Sequence, residues 1–218
     1  MEQYLGIDVG GTNVKMGIVD SETGRISNFY SHDTAEWRQS GHFVESLGDA
    51  IAIQLHEFPE VKKVGIGLPG MINRERTVPL EITAIPEIDN NPMVEYLSGR
   101  FKGVQFFLEN DANAAAIGEM TYGAAKEMKD FIMITLGTGV GSGIVANGIL
   151  IYGHDGFAGE LGHTCIIPDG RFHPGTGLYG SLEMYASASG LTRTAIEFLE
   201  QRPDEQSLMQ AYPIEEIS

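Results

Sequence analysis

The alternation of apolar and polar positions sets out the elements of this chain. An apolar run, Tyr4-Leu5-Gly6-Ile7, delivers Asp8 into the small-residue turn Gly10-Gly11-Thr12, so residues 3 to 9 and 14 to 19 are predicted as two strands around that turn. Residues 26 to 30 follow as a third, antiparallel strand after the turn at Ser21 to Gly24. Apolar residues at Phe43, Leu47, Ala50, Ile51, Leu55 and Phe58 recur at spacings of three and four, which predicts one amphipathic helix from Trp37 to Phe58, ended by Pro59. Val64 to Leu68 reads as a buried strand running into Pro69-Gly70. Residues 71 to 91 have no periodicity and are predicted as a long loop. A helix near 92 to 101 and a strand at 104 to 108 come next. The alanine-rich stretch from Glu109 to Ala116 reads as a helix start directly after that strand.

Strands at 131 to 136 and about 140 to 147 flank Gly137-Thr138-Gly139, and so repeat the opening logic of strand, small-residue turn, strand. Two such devices suggest two related half-domains facing one cleft, 1 to 112 and 113 to 218. Residues 153 to 183 are predicted mostly as glycine-rich loop, helix returns at about 181 to 201, and the remainder to Ser218 has no clear last element.

The turns carry the candidate chemistry. Glycines 10 and 11 have no Cβ to hold a ligand away, so backbone N–H groups can approach phosphate oxygens while Lys15 adds a point charge. Asp8 is placed to hold a hydrated Mg²⁺. The plainer alternative is a hairpin whose glycines only supply positive φ. Asp111 puts a carboxylate at the mouth of a sheet, and Glu160, His163 and Glu183 lie among loop glycines where they can hydrogen-bond a ligand.

Composition narrows the classes. A net charge of −16 argues against a nucleic-acid backbone or an anionic membrane as partner, because both need clustered Lys and Arg. An acidic protein can still handle phosphate through backbone amides and Mg²⁺. With Cys165 as the single cysteine no intrachain disulfide can form, no secretion signal or ~20-residue apolar span is present, and a soluble cytoplasmic protein is expected.

The chain resembles the ROK group (repressors, open reading frames and sugar kinases) within the actin-like ATPase superfamily. The resemblance rests on four motifs in order: Asp8 to Lys15, Glu109 to Ala115, Leu136 to Gly143 and Ala158 to His163, with a tail from Glu183 to Gly190. It implies an α/β, ribonuclease H-like fold of two related domains around a cleft, the second incomplete. It also implies ATP-dependent phosphorylation of glucose or a related hexose at the 6-hydroxyl. Asp111 would be the general base, and Asn110, Glu160, His163 and Glu183 would hold other sugar hydroxyls. Gly10, Gly11, Thr12 and Lys15, with Gly137, Thr138 and Gly139, would grip the ATP phosphates, and Asp8 would coordinate Mg²⁺. A sugar-binding regulator or a non-catalytic remnant of the family is the alternative, and a homodimer is the expected assembly.

Three departures qualify the resemblance. Pro174, Thr176 and Ser181 stand where the family carries three zinc-binding cysteines, so zinc is not expected, and another fastening of that loop, or greater mobility, is. Ala84-Ile85-Pro86 replaces an asparagine that precedes Leu-Pro and contacts the sugar. Family members also continue past the equivalent of Ser218 into an adenosine-binding turn and a final helix, so a truncated chain is expected.

Overall fold

The computed structural model describes residues 2–213, 216 and 217. Strands β1 (Gln3–Val9), β2 (Asn13–Asp20) and β3 (Ile26–Asp33) pair antiparallel in sequence, as the alternation predicts. Helices α1 (Thr34–Gln39) and α2 (Phe43–Glu57) carry the chain to β4 (Lys63–Leu68), which pairs parallel with β1. A small hairpin, β5 (Met71–Ile72) and β6 (Pro79–Glu81), and helix α3 (Met93–Arg100) lead to β7 (Gln105–Asn110), parallel to β4. The sheet order is β3-β2-β1-β4-β7.

Alternation gives the two faces of this sheet different work. Leu5, Ile7 and Val9, Val14, Met16 and Ile18, and Val64, Ile66 and Leu68 point one way and are buried with Leu47 and Ile51 of α2 and Leu97 of α3. Each fully buried Leu or Ile contributes about 1.5–3 kcal/mol relative to an exposed one. The opposite face holds Gly6, Gly65 and Gly67, which carry no side chains. With Phe107, Ala114 and Ala115 they line a cavity of about 480 Å³ that Asp8 and Asp111 share.

The chain then repeats its opening device. Helix α4 (Asp111–Tyr122) is followed by a second antiparallel meander, β8 (Phe131–Leu136), β9 (Val140–Ala146) and β10 (Ile149–Leu150), in the order β10-β9-β8. Small residues let α4 lie close on β9: a Cβ on Gly143 would come 2.7 Å from Ala116 Cβ, and one on Gly141 2.9 Å from Ala112 Cβ. Outward on β8, Ile132, Ile134 and Leu136 are exposed. A hairpin of β11 (Phe172–His173) and β12 (Leu178–Tyr179) precedes α5 (Glu183–Ala186) and α6 (Ala188–Gln201). A short 3-10 turn at Leu208–Ala211 follows; the end of the tail expected to lack a last element lies outside the described residues.

Three expectations need correction. The single helix from 37 to 58 is two helices, because Asp33 caps α1 through Ala35 N and Gly41 adopts φ +72° between them. The loop at 71 to 91 is partly structured. Asn73 accepts from Thr77 N and Val78 N to form the β5–β6 hairpin, and Ile82, Ile85 and Ile88, three apart, are fully buried. The last helix is interrupted at Ser187, whose extended backbone and side chain cap α6 through Gly190 N.

Candidate active site

Strands β1, β4 and β7 are parallel and end at one edge, where Asp8 pairs in register with Gly67 and Gly67 with Glu109. Side chains just past the carboxyl ends of parallel strands converge on a crevice, and here they are Asp8, Asn110 and Asp111.

The first turn is tightly held. Gly10 N donates to Asn13 O at 2.9 Å, Thr34 N to Thr12 O at 3.0 Å, and the buried Thr34 hydroxyl to Gly10 O at 2.7 Å. In the second turn Gly137 N donates to Gly139 O at 3.0 Å, and Ala188 N donates to Gly137 O at 2.9 Å. Among the described residues, the N–H groups of Gly11 and Thr12 in one turn, and of Thr138 and Gly139 in the other, have no protein acceptor. Glycines 10, 11, 137 and 139 do not take positive φ, so the plain-hairpin explanation of them fails. A Cβ would instead meet Asn13 O at Gly10 (3.0 Å), Ala84 Cβ at Gly11 (3.2 Å) and Glu183 Oε2 at Gly139 (2.6 Å). Lys15 Nζ lies 3.7 Å from Asp8 Oδ2, with both side chains about half exposed.

Asn110, not Asp111, is the N-cap of α4: its Oδ1 accepts from Asn113 N at 3.1 Å and its Nδ2 donates to Gly70 O at 3.2 Å. That leaves the Asp111 carboxylate free of the capping duty, with only its neighbour Ala112 N donating to it, at 2.7 Å. Asp111 opens into the cleft, yet burial by the cleft walls raises its pKa above the ordinary value; the nearby Asp8 charge adds to this and the Ala112 amide opposes it. Asp8, Glu109 and Asp111 line this cavity, and the hard oxygen donor of Asp8 suits a divalent cation that keeps several waters.

The other expected residues gather at the entrance to the second turn. Glu160 precedes the 3-10 turn Leu161–His163, and its Oε2 lies 3.5 Å from His163 Nε2. Burial raises the Glu160 pKa, His163 opposes this, and the charges of Asp111 and Glu183 add to it, so these four form one electrostatic neighbourhood. Glu183 has two close partners: Oε2 accepts a hydrogen bond from Val140 N at 2.8 Å, and Oε1 lies 2.9 Å from His173 Nε2, an ion pair when that imidazole is protonated. The imidazoles of His163 and His173 are 5.7 Å apart, and His163 Nδ1 is buried without a partner. Thr176 Oγ1 lies 2.6 Å from His173 Nδ1, and Ser181 is fully buried and paired with Cys165 in an isolated β-bridge. Ala84, in place of the sugar asparagine, packs beneath Gly11.

A cavity of about 300 Å³ adjoins these groups and is lined by Asn110, Asn113 and Glu160. The buried Asn113 Oδ1 has no partner. The cavity lining also includes a cluster that the sequence does not single out, in which Arg76 Nη1 donates to Glu109 Oε2 (3.1 Å) and Tyr152 OH (2.6 Å), and Tyr152 OH donates to Glu109 Oε2 (2.8 Å). Arg76 reaches it from a left-handed conformation, φ +54°, which no local pattern announces. His173 lies on the β11–β12 hairpin, within a stretch predicted as loop, and no local pattern announces its contact with Glu183.

The fold and this edge define an α/β protein of the actin-like ATPase, ribonuclease H-like class. The chain belongs to the ROK family, whose model matches residues 4–214. It is 36% identical over 191 residues to a glucokinase of Thermotoga maritima, covering 88% of this chain and 59% of that protein. A solved structure from Cytophaga hutchinsonii superposes with a TM-score of 0.86 at 39% identity, over 96% of this chain and 66% of that one. A ROK family glucokinase from Streptomyces griseus, in complex with glucose and AMPPNP, superposes with a TM-score of 0.78 at 34% identity, over 99% and 68%. The chain thus spans about three-fifths of the length of the curated relatives it matches, 59% and 62% for the glucokinases of T. maritima and Halalkalibacterium halodurans.

Proposed function

We propose that this protein transfers the γ-phosphoryl group of ATP to the 6-hydroxyl of a hexose, glucose or a close relative. The observation that carries the reading is the placement of Asp111, uncapped and free to accept a proton, on an edge flanked by two turns that each offer a pair of unpaired N–H groups. The glucokinase relatives support the same reading.

In this mechanism Asp111 accepts the hydroxyl proton as the sugar oxygen attacks the γ-phosphorus in line; the bond to the β–γ bridging oxygen breaks and ADP leaves. The turn amides of Gly11 and Thr12, with those of Thr138 and Gly139, hold the phosphate oxygens, and Lys15 offsets their charge. Asn110 and Glu160 face the sugar cavity, while His163 and Glu183 stand beside it to orient hydroxyls. Mg²⁺, held by Asp8, would supply charge neutralisation between the phosphates.

The division into half-domains near residue 112, a homodimeric assembly and a cytoplasmic location belong to the same proposal, resting on the family resemblance. Among the described residues no helix is long and apolar enough to cross a membrane.

The test is a coupled assay of ADP release over a panel of hexoses, run on the wild-type protein and on Asp111→Ala. Turnover of a hexose that Asp111→Ala abolishes is expected. Sugar binding without turnover in the wild-type protein would leave only a sugar-binding role, and an undiminished rate in Asp111→Ala would remove Asp111 as the base.

A further inference from the structure

Arg171 lies immediately before β11, outside every motif that the sequence brings forward, yet its side chain is only 11% exposed. Its Nη1 lies within hydrogen-bond distance of Met184 O (2.8 Å), Thr194 Oγ1 (2.9 Å) and Gly190 O (3.1 Å). Its Nη2 donates to Glu197 Oε2 at 2.6 Å. The guanidinium stacks 4.5 Å from the Tyr185 ring, and Tyr185 OH accepts from Arg171 N at 2.9 Å. An arginine so buried is held in place only because its donors are satisfied, and here the acceptors come from α5 and α6.

The two segments that Arg171 joins are those that carry His173 and Glu183. His173 is two residues after Arg171, on the strand that Arg171 precedes, and Glu183 is the residue before Met184, whose carbonyl the guanidinium holds. The 2.9 Å contact between His173 Nε2 and Glu183 Oε1 therefore spans two pieces of chain whose separation is set by one side chain. Glu183 in turn reaches the second phosphate turn through Val140 N.

We infer that Arg171 is a positioning residue: it fixes the His173–Glu183 pair, and through that pair the orientation of the sugar acceptor. A planar guanidinium can serve four acceptors and a ring face together; a lysine ammonium at the same place cannot. The kinetic consequence rests on the hexose-kinase reading proposed above.

The test compares the wild-type protein with Arg171→Lys, His173→Ala and the double variant. If Arg171 acts through His173, Arg171→Lys raises the hexose KM about tenfold or more while the ATP KM stays within about twofold. The double variant then raises the hexose KM no further than His173→Ala alone. A merely structural arginine would lower the folded fraction and leave the hexose KM unchanged, and that result, or additive effects of the two substitutions, overturns the inference. A second measurement does not depend on turnover: the nitrogen-15 signals of the His173 ring should shift in Arg171→Lys as Nε2 moves away from the Glu183 carboxylate. Unchanged ring signals overturn the role of Arg171 whatever the kinetics, whereas a wild-type protein that phosphorylates no hexose counts against the kinase reading instead.

Discussion

The backbone N–H of Val140 donates a 2.8 Å hydrogen bond to Glu183 Oε2, joining a side chain proposed to orient sugar to the strand that leaves the Gly137–Gly139 turn. Gly139 makes this approach possible, since a Cβ there would stand 2.6 Å from that oxygen. Gly139→Ala should therefore displace the carboxylate instead of unfolding the chain, because the neighbour that must move is the end of a side chain. We expect the hexose KM to rise about tenfold, with a smaller rise in the ATP KM from the disturbed turn, in steady-state kinetics with each substrate varied. An alanine variant with wild-type constants for both substrates would separate Glu183 from the acceptor site.

Asp111→Asn tests the base directly. Loss of a positioned general base should lower kcat by about 10²–10⁴-fold. Stability should move the other way. The folded-state pKa of Asp111 lies above the ordinary 3.8, chiefly through burial, so the folded protein holds the proton more readily than the unfolded chain. The stabilisation linked to that proton is present at acid pH and is lost as pH rises through the raised value. Asparagine carries no such loss. Melting curves should accordingly place the Tm of Asp111→Asn above that of the wild-type protein at neutral pH, with the gap closing as pH falls towards 3.8.

Thr34 is fully buried and its hydroxyl donates to Gly10 O at 2.7 Å, which ties the first phosphate turn to the start of α1. Thr34→Val keeps the shape and leaves the carbonyl without that donor, at a cost of about 1–3 kcal/mol. Chemical denaturation should read this as a lower midpoint with an unchanged slope. The turn is freed as well as destabilised, so the ATP KM should rise while the hexose KM holds.

Much of this was legible in the sequence because it is local. The strands around Gly10 to Thr12 and Gly137 to Gly139 follow from period-two alternation broken by small residues, and the structure places both turns where that pattern put them. Asp111 was legible too, though not the reason it is free: the capping bond belongs to Asn110, one residue earlier. What escaped is set by distant parts of the chain. The break between α1 and α2 depends on Gly41 taking φ +72° inside a stretch whose apolar spacing reads as continuous. The buried isoleucines at 82, 85 and 88 lie in a segment with two prolines and no amphipathic face of its own, so only the core they enter reveals them. The Arg171 network and the Arg76–Glu109–Tyr152 cluster join residues 13 to 76 positions apart, beyond the reach of any periodicity.

Asp8→Asn tests the metal position. Asp8 and Asp111 line one cavity, and Asp8 contributes to the raised pKa of Asp111 through like charge. Removing that charge should weaken Mg²⁺ binding, so the Mg²⁺ concentration giving half-maximal rate should rise at fixed ATP. It should also ease ionisation of Asp111, and the acidic limb of the pH–rate profile should shift to lower pH. A profile that stays in place would show that Asp8 does not act on Asp111 during turnover.

Tyr152 lines the cavity proposed to take the sugar. Its hydroxyl accepts from Arg76 and donates to Glu109, and burial, then the bond to Glu109, push its pKa up to about 12, so it remains a donor throughout the working pH range. Tyr152→Phe removes both of these bonds from a wall whose Arg76–Glu109 pair survives at 3.1 Å. Loss of a hydrogen bond to a charged group is worth about 1.5–3 kcal/mol, or roughly a tenfold or larger fall in kcat/KM for the preferred hexose. The loss should not be uniform across sugars. A rigid wall rejects substituents that do not fit it, so the ratio of kcat/KM between the preferred hexose and one altered at a single hydroxyl should narrow in the variant. Measuring that ratio over a set of epimers and N-acetylated sugars locates the position that the wall reads; an equal loss for every sugar would assign Tyr152 to packing alone.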